Sequence, residues 1–111
     1  MDKLASYRQY IQDLLSKYHS WERPNDTFES QLLFDEKRDH YLWLDVGWNG
    51  STRIYDPIIH FDIKDGKIWL QQNNTDLDPA EDLLALGVMR EEIILGLHPP
   101  YKRKYTDYGV A

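Results

Sequence analysis

Two turn dipeptides, Asn49-Gly50 and Asp65-Gly66, constrain this chain more than any other feature. Asn-Gly and Asp-Gly supply the positive backbone angles that a two-residue hairpin demands, and both lie among β-branched and aromatic residues. The stretch from Asp39 to Asn73 therefore reads as three antiparallel strands joined by tight turns. A hairpin of known loop length also fixes which residues stand opposite one another. Centring the first turn on Asn49-Gly50 pairs Trp48 with Ser51, Val46 with Arg53, Leu44 with Tyr55 and Leu42 with Pro57. Centring the second on Asp65-Gly66 pairs Ile63 with Ile68, Phe61 with Leu70, Asp62 with Trp69 and His60 with Gln71.

These registers sort the side chains into two faces. One collects Leu42, Leu44, Val46, Trp48, Ile59, Phe61, Ile63, Ile68 and Leu70, and is the expected core. The other collects Tyr41, Trp43, Asp45, Ile54, Ile58, His60, Asp62, Trp69 and Gln71. Pro57 is awkward within an inner strand and points to a bulge or an edge, so the pairings beyond it depend on that irregularity. The earlier run FESQLLFD reads as a fourth strand whose register the Glu36–Asp39 loop leaves open.

Upstream, Leu4, Tyr7, Ile11, Leu14, Leu15 and Tyr18 recur at helical spacing, with Asp2 as N-cap and an end expected between His19 and Pro24. Downstream, Asp78-Pro79 reads as the N-cap and first residue of a short helix stopped by Gly87, and Met89–Leu95 as a further turn or two. The final HPPYKRKYTDYGVA is expected to be irregular. The expected fold is thus α+β: an N-terminal helix on a four-stranded antiparallel meander, followed by one or two short helices. A chain of 111 residues is the usual size of a single domain, here residues 1–111.

Composition excludes several function classes. The absence of cysteine removes disulfide frameworks and thiolate chemistry and agrees with a reducing cytoplasm, where the protein is expected. MDKLASYRQYIQ lacks the unbroken apolar region of a signal peptide, and no run is apolar enough to span a membrane. A formal charge of -6 has the wrong sign for neutralising many phosphates, so strong direct nucleic-acid binding is disfavoured. The basic triplet Lys102, Arg103 and Lys104 runs against that balance and is retained as a candidate contact.

No serine lies on a nucleophile elbow, and neither a P-loop nor a dinucleotide fingerprint is present. His60 and Asp62, two apart on one strand, share a face, and His40 and Asp45 lie on the neighbouring strand. Without a recognised ligand spacing such as HExxH, the hydrogen-bonded His-Asp pair is preferred over a metal site, and neither metal nor cofactor is expected. A small metal-dependent hydrolase or nuclease using His60 and Asp62 is the alternative. The aromatic face is the sharper clue. Tyr41, Trp43, Ile54 and Trp69 together are too apolar for open water, so either the C-terminal segment folds over them or a partner, a second copy or another protein, covers them.

The stretches FDEKRDHYLWLDVGWNG, HFDIKDGKIWLQQN and GVMREEIILGLHPPYKR, in that order, resemble the XisI family, the fdxN-element excision controlling factor proteins. The resemblance runs from YRQYIQDLL to the final YGVA. It implies a small, non-enzymatic accessory protein that controls excision of a DNA element by a separate recombinase during cyanobacterial heterocyst differentiation. It also implies a companion, a XisH-like protein, and carries no catalytic residues. Partner binding through Tyr41, Trp43, Ile54, Trp69, Lys102, Arg103 and Lys104 is the resulting expectation.

Overall fold

The computed structural model describes residues 2–111, in the order α1 (Lys3–Ser20), β1 (Phe28–Asp35), β2 (His40–Asn49), β3 (Thr52–Lys64), β4 (Lys67–Asn73), α2 (Pro79–Ala85), a 3₁₀ turn (Arg90–Glu92), β5 (Ile93–Ile94) and α3 (Pro100–Arg103). The sheet runs β1-β2-β3-β4-β5, antiparallel through β4, with β5 added in parallel at the edge. The α+β class is as expected. The sheet has five strands rather than four, because a two-residue strand with no alternation of its own closes the β4 edge.

Asp2 caps α1, its carboxylate accepting from the Leu4 N–H, and the helix buries Tyr7, Ile11, Leu14, Leu15 and Tyr18. Asp78 caps α2 in the same way, and Gly87, at a φ of 106°, lies just beyond its C-cap. Both helices pack on one sheet face, where Ala80, Leu83 and Val88 join the α1 stripe in a single core. Tyr18 donates from α1 to Asp82 of α2, and Tyr7 to Glu92.

The β3–β4 register is as derived for Ile63–Ile68, Asp62–Trp69 and Phe61–Leu70. The β2–β3 register is not. The turn is centred on Gly50-Ser51, so Asn49 pairs with Thr52, Trp48 with Arg53 and Val46 with Tyr55. Gly50 takes a φ of 62°. A positive angle at the first central residue is the type II′ alternative to the two positive angles of type I′.

A greater change follows at Pro57. Leu44 pairs with Pro57 but Trp43 pairs with Ile59, leaving Ile58 as an extra residue. Such a bulge moves every later side chain of the strand to the opposite face. Tyr41 and Trp43 therefore share a face with Ile59, Phe61, Ile63, Ile68 and Leu70, and are buried beneath α1 at 0% and 2% exposure. The expected placement of Leu42, Leu44, Val46 and Trp48 in that core is corrected. They lie on the second face with His40, His60, Asp62 and Trp69. The C-terminal segment returns over part of this second face, where Gly96 approaches Gln71 and Trp69 so closely that a Cβ would stand 2.4 Å from Gln71 Oε1.

Candidate functional site

Three polar side chains converge on the second face. His40 opens β2 directly opposite Asp62, and His60 stands two residues before Asp62 on β3. Asp62 Oδ1 accepts from His40 Nδ1 at 2.7 Å and from His60 Nε2 at 2.8 Å. Its other oxygen accepts from Gln71 Nε2 at 3.1 Å. Gln71 reaches it from a second bulge, between the pairs Phe61–Leu70 and His60–Gln72, where it has no partner across the ladder. One bulge thus lies in each seam of β3, at Ile58 towards β2 and at Gln71 towards β4.

Asp62 is buried, which opposes its ionisation, but donations from His40, Gln71 and His60 prevail and hold its carboxyl below the usual carboxylate range. Beside it lies an open cavity of about 510 Å³, lined by Leu33, Phe34, Asp35, His40, Leu42, His60 and Asp62. A neutral histidine presents one nitrogen as a donor and the other as an acceptor. The cluster can therefore hold a proton, orient a polar group in the cavity or ligate a cation.

The hydrogen-bonded His60-Asp62 pair of the sequence reading is present, and His40 completes it. Asp45 lies on the helix-covered face instead, where its carboxylate accepts from Ser30 Oγ at 2.6 Å. The other candidate contact residues do not form one surface. Tyr41 and Trp43 are core, and Ile54 pairs with Gly47 on their face of the sheet. Trp69 lies across the sheet from them, flanked by Lys64 and Arg103, whose charged groups stand 4.2 and 5.1 Å from ring centroids of the indole. The basic triplet also divides. Lys102 and Lys104 are exposed, whereas Arg103 turns inward and donates to the carbonyls of His98, Gly96 and Ala111.

Among the open apolar surfaces of the described residues is a strip at the outer end of the second face. Val46 pairs there with Tyr55 and Trp48 with Arg53, and Leu33 opposite Leu42 continues the same face towards the histidines. Trp48 and Tyr55 are 56% and 63% exposed, and the Arg53 guanidinium lies 5.2 Å from the Trp48 ring centroid. Trp48 was legible in the sequence as an aromatic beside a turn. Its exposure was not, because that depends on the bulge.

Fold and surface together define a small α+β protein with one helix-covered sheet face and one partly open face carrying a His-Asp-His cluster and an aromatic strip. The chain belongs to the XisI family: the model of the family described as XisI protein matches residues 1–110. Two crystal structures have nearly the same fold. A XisI-like protein from Anabaena variabilis is 56% identical, with a TM-score of 0.93 over 97% of this chain and 99% of that one. The fdxN element excision controlling factor XisI from Anabaena variabilis is 40% identical, with a TM-score of 0.91 over 99% of this chain and 100% of that one. No protein with a curated functional description matches. Among the described residues, no helix is long and apolar enough to cross a membrane.

Proposed function

We propose that this protein controls excision of a DNA element, as a regulatory protein without chemistry of its own that acts through a XisH-like companion. The observation that carries the reading is the full-length similarity, at 40% identity, to a protein described as an excision controlling factor. The charge of -6 supports an indirect route to DNA, since positive charge is what phosphate contacts require. The inward turn of Arg103 supports it further, because it leaves the basic triplet without a common face.

The companion contacts the open strip of the second face, with Trp48 and Tyr55 as anchors. Exposed aromatics beside an arginine are the residue types on which interface energy concentrates. Capture of a purified XisH-like protein on the immobilised chain tests both parts of the reading. Binding to the wild type that weakens on Trp48→Ala or Tyr55→Ala, by about 2 kcal/mol for a central anchor, supports them. Wild-type binding that both variants retain moves the contact to another surface. No binding to the wild type removes the companion.

A further inference from the structure

We infer that His40, His60 and Asp62 form a mononuclear site for a divalent transition-metal cation, Zn²⁺ foremost, with coordination positions left open towards the adjoining cavity. The inference stands on geometry and is independent of the excision-control reading. Three ligand atoms, one from each residue, lie within 4.8 Å of one another. Metal-ligand bonds of about 2.0–2.2 Å place neighbouring ligand atoms roughly 3–3.5 Å apart, so the cluster needs only a small opening to admit an ion. Both imidazole nitrogens already point at one oxygen, Asp62 Oδ1, at 2.7 and 2.8 Å. An ion inserted among them takes the place of the two ring protons. In the neutral rings those protons pass to the other nitrogens, Nε2 of His40 and Nδ1 of His60.

Two further features fit a ligand site. Gln71 donates to Asp62 Oδ2, the oxygen the histidines leave free, which fixes the carboxylate plane as an outer-shell partner of a metal ligand does. The donors project from paired strands and not from loops, His40 across from Asp62 on β2 and His60 two residues before it on β3, with one bulge in the β2–β3 seam and one in the β3–β4 seam, so little conformational entropy is lost when an ion binds. Two imidazoles and one carboxylate select among divalent ions. They suit Zn²⁺, Co²⁺, Fe²⁺ and Mn²⁺, whereas Ca²⁺ and Mg²⁺ prefer all-oxygen shells. Three protein ligands with a remaining open position are the arrangement of a zinc site that also binds an exogenous group. The cavity walls, Leu33, Phe34 and Leu42, fit a group with an apolar body and a single metal-binding donor.

Calorimetric titration of the full chain with ZnCl₂, repeated with CoCl₂ while the visible absorption of Co²⁺ is recorded, tests the site. One equivalent of each ion is expected to bind saturably, with Co²⁺ bands of a low-symmetry nitrogen and oxygen shell. His60→Ala and Asp62→Asn are expected to abolish the bands and weaken binding more than about a hundredfold. Gln71→Ala is expected to weaken it by about 10–100-fold, the usual cost of removing an outer-shell partner. His40 is exposed, so His40→Ala keeps the fold and decides the matter if Asp62→Asn does not fold, as circular dichroism will show. His98→Ala, in the C-terminal segment, is the control. Absence of saturable binding overturns the inference, and so does binding that survives His40→Ala or is lost on His98→Ala.

Discussion

Asp39 carries more of the fold than its loop position suggests. It holds a φ of 62°, which asparagine and aspartate tolerate better than other side chains, and its two carboxylate oxygens accept from Arg8 Nε at 2.7 Å and Nη2 at 3.2 Å. The Tyr41 hydroxyl donates to it as well, so one residue ties α1 to the start of β2. Arg8 foremost holds the Asp39 carboxyl below the usual range, against the effect of its partial burial. A carboxyl depressed in the folded state contributes stability that is complete above its unfolded pKa of about 3.9 and is lost as pH falls through the lower folded value. Asp39→Asn keeps the backbone preference and removes the charge. It is expected to melt below the wild type at pH 7 and to approach it as pH is lowered past about 4, and melts across that range check the sign. In the core, Phe61→Ala and Trp43→Ala are each expected to destabilise the isolated chain by about 3–5 kcal/mol in urea unfolding. A small loss for Trp43→Ala would contradict its place under α1.

At the scale of elements, the bulges decide what each strand presents. His60 and Asp62 share a face by simple alternation, so that pair was legible from spacing alone. His40 was not. A regular hairpin centred on Asn49-Gly50 sets it on the opposite face from Asp62; the extra residue Ile58 brings the two to one face, and the turn's shift to Gly50-Ser51 makes them direct neighbours. Pro57 carried a sign of this, since it supplies no ladder donor, but a proline marks an irregularity without giving its size. The β3–β4 register was legible because Asp65-Gly66 is a true two-residue turn, both residues having positive φ, and no bulge intervenes before Phe61. The strand β5 escaped notice because two residues carry no period. Close approach of backbones sets a further constraint on the β1–β2 pair. A Cβ on Gly47 would stand 2.1 Å from the Thr27 carbonyl oxygen and 2.6 Å from Phe28 Cα, both backbone atoms with little freedom to move. Gly47→Ala is accordingly expected to cost about 1–3 kcal/mol, as overpacking does. The loss should appear as faster amide exchange at Trp48, whose N–H donates to Thr27 O at 2.9 Å.

For the molecule as a whole, the two sheet faces are closed by different means. Helices seal the first with apolar side chains, whereas the second is closed at the β4 end by a C-terminal segment held largely through polar contacts. Leu97 N–H donates to Leu70 O at 3.1 Å, Gly109 N–H to Ile93 O at 2.9 Å, and Arg103 gathers three carbonyls of its own segment beneath its guanidinium. Arg103 is 9% exposed, and replacing it with alanine removes the donor that these three oxygens share and empties a buried position. Arg103→Ala is therefore expected to destabilise by about 1–3 kcal/mol. Arg103→Lys should recover little, because one ammonium cannot reproduce the planar fork that spans separate acceptors. Hydrogen exchange locates the effect: protection at Leu97 and Gly109 should fall in Arg103→Ala while that of Ile11 in α1 is kept. Lys102→Ala and Lys104→Ala, at exposed positions, should leave all three amides unchanged. Equal loss of protection in the lysine variants would mean that the segment is held by its charge and not by the buried guanidinium.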